Sequence, residues 1–128
     1  MSTAVSTPGI TGVGQIQVNA KDLEASRAFY RDVLGLPLIL EIPGAVFFDA
    51  GNLRLMVAKA ERPEFDHPAS IIYYRVPDLD AAFQAVRAAG AAVAHEPQLI
   101  ARMPDHELWM AFVRDPAENY IGLMAEVR

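Results

Sequence analysis

One segment of this chain occurs twice. Ile16-Gln17-Val18-Asn19-Ala20-Lys21-Asp22-Leu23-Glu24-Ala25 is echoed by Ile72-Tyr73-Tyr74-Arg75-Val76-Pro77-Asp78-Leu79-Asp80-Ala81, and Asp78 stands 56 residues after Asp22. Each copy is a short strand-like run, then an Asp, then apolar residues at helical spacing up to a Gly. Self-similarity at a long fixed period is a statement about architecture. Two copies are too few for a solenoid. The duplication therefore predicts two packed modules, with equivalent strand positions lining any cavity between them.

The pattern within each copy sets the elements. From Gly14 to Asn19, Gln15, Gln17 and Asn19 alternate with Ile16 and Val18, the period of a half-buried strand. Asp22 suits a helix N-cap, because its carboxylate can accept from first-turn amides. Leu23, Ser26, Phe29, Tyr30, Val33 and Leu34 follow at helical spacing, with Gly35 as the stop and Pro37 beyond it. Leu38–Ile42 reads as a strand, and residues 46–49 and 53–58 as a hairpin around Gly51-Asn52. The second copy predicts a strand within residues 70–76, a helix from Asp78 to Gly90 and a strand over 92–96. An irregular connection over 97–106 and strands over 108–113 and 120–127 complete it. The order is βαβββ twice. The expected class is α+β: tandem modules forming a cup-shaped, mixed, mostly antiparallel sheet with the helices outside. The expected organisation is a flexible tail over residues 1–9 and a single domain over 10–127. The modules span 10–60 and 70–127, joined by a charged, proline-containing linker over 61–69.

Composition removes several functions. With 52% hydrophobic and 21% charged residues in 128, the chain can bury a proper core. No apolar run is long enough to cross a bilayer, and the N-terminus lacks the basic and apolar regions of a signal peptide. Cysteine is absent, which removes disulfide and thiolate chemistry and fits a cytoplasmic location. The net charge of −5, with Lys and Arg scattered singly, leaves no basic footprint for nucleic acid. Neither nucleic acid nor membrane is expected as a partner.

Three stretches carry a family resemblance. They are Asp22-Leu23 with Phe29-Tyr30 and Leu34-Gly35-Leu36; Val76-Pro77-Asp78-Leu79; and Phe112-Val113-Arg114-Asp115-Pro116 with Asn119. Together they resemble the vicinal oxygen chelate superfamily of glyoxalases, bleomycin- and fosfomycin-resistance proteins and extradiol dioxygenases, over roughly residues 10 to 127. The last stretch is similar to the family's Asp-Pro-Asp-Gly-Asn turn, with Ala117 and Glu118 in place of the usual middle pair.

The resemblance implies where metal-dependent members would hold their ion, with one ligand on each of four strands. Here those positions hold Gln15, Met56, Ile71 and Gly122. Only Gln15 is an oxygen donor. A catalytic divalent ion needs about three protein ligands such as His, Asp or Glu, so no metal and no other cofactor is expected. His67 in the linker, His95-Glu96, His106-Glu107 and Glu126 match no metal-ligand spacing and read as surface groups.

Strand parity supplies the candidate ligand-binding residues: Gln15, Gln17, Arg54, Met56, Tyr73, Arg75, Met110, Phe112 and Met124. Ile16, Val18, Leu53, Leu55, Ile72, Tyr74, Trp109, Ile121 and Leu123 fall on the opposite face, suited to packing under the helices. Apolar walls with a few placed polar groups are how small-molecule pockets are built, and Gly122 leaves space among them. The resemblance and the missing donors point to a metal-independent binding protein of the bleomycin-resistance type. It would be a homodimer sequestering an organic ligand, aromatic or anionic, and the linker offers no evident aromatic clamp. Two alternatives stand. One is a lyase or isomerase using Tyr73 as acid or base and Arg75 or Arg54 to stabilise an anion. The other is a metal-dependent lyase through ligands of another pattern.

Overall fold

In both halves an aspartate starts the helix in the same way. Asp22 Oδ1 accepts from the Ala25 amide at 3.2 Å and Asp78 Oδ1 from the Ala81 amide at 3.1 Å. Gly35 (φ 73°) and Gly90 (φ 98°) take the left-handed conformation just past the helical segments. The computed structural model describes residues 7–128; most of the expected N-terminal tail, residues 1–6, lies outside the described residues.

The first module is β1 (Gln15–Asn19), α1 (Leu23–Ala28), β2 (Leu38–Ile42), β3 (Ala45–Asp49) and β4 (Arg54–Ala58). The second is β5 (Ile72–Arg75), α2 (Leu79–Ala88), β6 (Ala92–Arg102), β7 (Glu107–Arg114) and β8 (Tyr120–Val127). Each module has its own four-stranded sheet, in the orders β1-β4-β3-β2 and β5-β8-β7-β6. The β1–β4 and β5–β8 pairs are parallel and all others antiparallel. The duplicated sequence is a duplicated topology, and the α+β expectation of two βαβββ modules holds. Neither helix is long and apolar enough to cross a membrane.

A single apolar core fills the inner faces. Val18, Phe48, Leu55 and Val57 of the first module join Phe83, Val113, Ile121 and Leu123 of the second, all at most 3% exposed. Full burial of each such side chain contributes about 1.5–3 kcal/mol. Ile16, Ile72, Tyr74 and Trp109 pack against this cluster, as strand parity requires.

Two elements differ from the sequence expectation. The first helix is α-helical only to Ala28 and continues as a π-helical turn, Phe29–Val33. The amide of Leu34 donates to the carbonyl of Phe29, five residues back, at 3.0 Å. Phe29 and Tyr30, adjacent within this turn, are both buried. Also, residues 97–102, expected to be irregular, belong to β6. Three register shifts accommodate them, one at Pro97 between His95 and Gln98. β6 is an edge strand, where a residue without an amide hydrogen is tolerated.

The Asp115–Asn119 turn ties the modules together. Tyr30 Oη donates to Asp115 Oδ2 at 2.8 Å across 85 residues of sequence. Asp115 Oδ1 accepts from the amides of Ala117 and Asn119 at 2.9 and 2.8 Å, and Oδ2 from Asn119 Nδ2 at 2.9 Å. Asn119 Nδ2 also donates to the Asn19 carbonyl of β1 at 3.0 Å, and Asn119 Oδ1 accepts from the Ala69 amide at 2.9 Å. Within this turn Glu118 is the one non-glycine residue with positive φ (66°) among the described residues. It stands where the turn that this stretch resembles carries glycine.

Candidate ligand-binding site

Register carries the candidate residues onto the open face of each sheet. On the first module Gln17, Met56, Phe47 and Leu40 form one row across β1-β4-β3-β2, and Gln15, Arg54 and Asp49 the next. Arg54 Nε donates to Gln15 Oε1 at 2.8 Å, and Gln15 Nε2 lies 3.6 Å from the Met56 sulfur. The Arg54 guanidinium stacks 5.6 Å above the Phe47 ring. Gln15 and Arg54 are thus already engaged with each other.

On the second module Tyr73, Gly122, Phe112 and His95 form a row across β5-β8-β7-β6, followed by Arg75, Met124, Met110 and Gln98. Tyr73 and His95 flank Phe112, each edge-on with ring centroids 5.9 Å away. Arg75 is exposed and has no hydrogen bond or ion pair among the described residues, so its five N–H donors are free for a ligand.

The nine candidates therefore divide four to one face and five to the other. No hydrogen bond, ion pair or ring contact joins the two groups among the described residues. Three of them, Tyr73, Arg75 and Met124, also line a crevice of about 400 Å³ where the modules meet, opposite Asp49, Leu53 and Leu55. Asp49 is held by the Gly51 amide at 3.0 Å.

The metal positions implied by the family do not fit an ion. Gln15 is committed to Arg54, Met56 offers a thioether, and Ile71 is a hydrocarbon that precedes β5. The space expected beside Gly122 is filled. A methyl group built on Gly122 would stand 2.6 Å from Cδ2 of Tyr73, so the tyrosine ring lies where a ligand side chain from β8 would start. Among the described residues no three His, Cys, Asp or Glu side chains group in a way that could hold a metal. His106 is taken up at the far end of the sheet, with Nδ1 2.7 Å from Asp105 Oδ1 and Nε2 3.7 Å from Glu126 Oε2. The Arg128 guanidinium, and then His106, hold the Asp105 carboxyl below its usual range.

The sequence-based candidates left out three residues. His95 reaches the open face because the register shift after Val93 puts it opposite Phe112; alternation alone assigns it no such place. Phe47 was legible, since it shares parity with Asp49. Phe65 lies in the linker and lines a smaller cavity of about 210 Å³ with Gln17, Asn19, His67 and Ala69. The linker therefore does bring an aromatic ring to the first module's face, contrary to expectation. It is anchored by Asn19 Nδ2 donating to Asp66 Oδ1 at 3.0 Å, a contact 47 residues apart that local sequence does not reveal.

Comparison with known proteins gives the same architecture. A crystal structure of lactoylglutathione lyase from Agrobacterium tumefaciens matches 91% of this chain and 95% of its own, at 26% identity and a TM-score of 0.69. TnmS3, an antibiotic binding protein from Streptomyces sp. CB03234, matches 94% and 99% at 23% identity and a TM-score of 0.75. An integron cassette protein from the mobile metagenome of V. cholerae matches 93% and 98% at 17% identity and a TM-score of 0.73. No match was found among curated proteins. The family model for the Glyoxalase/Bleomycin resistance protein/Dioxygenase superfamily matches residues 12–123. With its tandem βαβββ modules and the turn at Asp115, the chain belongs to that superfamily.

Proposed function

We propose that this protein binds an organic small molecule without a metal ion, on the open faces of its two sheets, as a homodimer. The observation that carries the reading is the Tyr73 ring lying over Gly122. It occupies the start of the family's fourth ligand position while leaving an aromatic surface beside the unpaired Arg75. That combination suits a ligand with an aromatic part and an anionic group. The ring packs against Tyr73 and Phe112, and a carboxylate or phosphate pairs with the guanidinium. Met110 and Met124 supply adaptable apolar contact.

Pairing of chains is supported by apolar side chains exposed on the edge strands. Ile39, Leu40 and Ile42 of β2 and Val93 and Ile100 of β6 are 39–53% exposed. A second copy covering such edges removes apolar surface and open ladder groups from water together. TnmS3, described as an antibiotic binding protein, has this fold. Binding is favoured over catalysis because Tyr73 has no base within hydrogen-bond reach among the described residues, and His95 stands on the far side of Phe112.

The test joins metal analysis of purified protein with calorimetric titration of aromatic carboxylates and aromatic amides of equal size. Saturable carboxylate binding, weakened about tenfold or more in Arg75→Ala and unchanged by chelator, is expected. Stoichiometric metal held by three or more side chains, or chelator-sensitive turnover, overturns the proposal. Chemical turnover lost in Tyr73→Phe would instead favour a lyase or isomerase. Sedimentation tests the dimer, and a monomer at micromolar concentration removes that part.

A further inference from the structure

The crevice where the modules meet has an apolar floor and a charged rim. Ile16, Leu36, Leu53 and Ile72 line it and are only half-buried, although Ile16, Leu36 and Ile72 pack against the central core. The rim carries opposite charges, one from each module. Asp49 and Arg75 both line the crevice, and both are exposed. Neither takes part in an ion pair among the described residues. Asp49 Oδ1 accepts from the Gly51 amide at 3.0 Å, and Oδ2 has no protein donor among the described residues. Arg54, opposite Asp49 in the β3–β4 register, donates instead to Gln15 Oε1 at 2.8 Å. The Arg75 guanidinium is likewise without an acceptor among the described residues.

An unpaired cation and an unpaired anion over a shared apolar floor match a molecule with both charges of its own. The exposed rim and half-buried floor put those charges at one end of the ligand and its apolar group at the other. We infer that the crevice binds an α-amino acid with an apolar side chain. Its carboxylate pairs with the Arg75 guanidinium, its ammonium with the Asp49 carboxylate, and its side chain covers the floor between the modules. The volume of about 400 Å³ suits such an occupant, since small-molecule sites span about 300–1,000 Å³. Tyr73 is the wall that the crevice shares with the open face of the second module. This site deepens the proposed binding role and rests on Arg75 as the ligand's anion partner. Asp49 belongs to this site alone, so the two readings fail separately.

The experiment is calorimetric titration of the full-length protein at pH 7 with L-phenylalanine, 3-phenylpropanoate, which lacks the ammonium, and 2-phenylethylamine, which lacks the carboxylate. Saturable L-phenylalanine binding is expected, at least about tenfold tighter than that of the other two. Asp49→Asn should bring L-phenylalanine down to the level of 3-phenylpropanoate and leave 3-phenylpropanoate unchanged. Asparagine keeps a side-chain carbonyl for the Gly51 amide at an exposed position, so this variant should fold, and its thermal transition confirms it. Leu53→Trp, checked in the same way, fills the floor without touching either charge and should weaken L-phenylalanine. Binding of 3-phenylpropanoate as tight as that of L-phenylalanine, or a preference for L-phenylalanine that survives Asp49→Asn, overturns the amino-acid site and leaves the anion role of Arg75 standing. Absence of binding by all three up to millimolar concentration overturns both.

Discussion

Two tyrosines, Tyr30 buried and Tyr74 half-buried, lie near the same carboxylate, and they should respond oppositely to loss of their hydroxyls. Tyr30, 0% exposed, donates to Asp115 Oδ2 at 2.8 Å. Tyr74 Oη is buried with no partner. A hydrogen bond to a charged acceptor contributes about 1.5–3 kcal/mol net, so Tyr30→Phe should cost about 2 kcal/mol. The unfolding entropy of about 2.1 cal/mol/K per residue converts this to a fall in Tm of roughly 7 °C for a chain of this length. Tyr74→Phe removes an unsatisfied hydroxyl and should be neutral or stabilising by about 1 kcal/mol.

The pH dependence supplies a second readout. Burial first, then the Asp115 carboxylate, push both phenols above their ordinary range. In the unfolded chain a tyrosine loses its proton near pH 10; in the folded chain these two keep theirs. The folded state then binds more protons, so their stabilising contribution is complete below about pH 10 and declines as pH rises further. Each group contributes a slope of about 1.4 kcal/mol per pH unit, and either Phe variant should remove one such slope. Urea denaturation of the three proteins between pH 7 and pH 11 measures both effects. Equal destabilisation by the two substitutions at pH 7 would falsify the assignment of the inter-module bond to Tyr30.

Gly122→Ala should cost about 1–3 kcal/mol by displacing the Tyr73 ring. The cost should largely vanish in a Tyr73→Ala background, as a double-mutant cycle by denaturation will show. Glu118→Gly relieves a left-handed non-glycine residue, for a net gain of up to about 1 kcal/mol after the entropy of glycine is counted; thermal unfolding reads it. Asp78→Ala removes the cap on α2 and should lose about 1 kcal/mol, seen as a lower denaturation midpoint with an unchanged slope. Addition of Zn²⁺ or Ni²⁺ to the purified protein should leave Tm unmoved, since a bound ion would raise it by mass action.

The duplication, the two capping aspartates, the alternation in β1 and the identity of the core face were all readable from the chain. Each depends on neighbours within a turn or a strand, and local spacing records those relations directly. The residue types at the four positions implied for a metal, Gln15, Met56, Ile71 and Gly122, were also readable, because side-chain chemistry is written in the sequence. Tertiary structure alone decided the rest. Tyr30 meets Asp115 across 85 residues of sequence, a pairing that spacing within the helix does not record. His95 shares a face with Phe112 because register shifts in β6 cancel its parity. Phe65 arrives at β1 because Asp66 bonds Asn19 across 47 residues. Periodicity carries no term for a bulge or a long-range hydrogen bond, so the residues that shape these faces were set by how the modules and the linker pack.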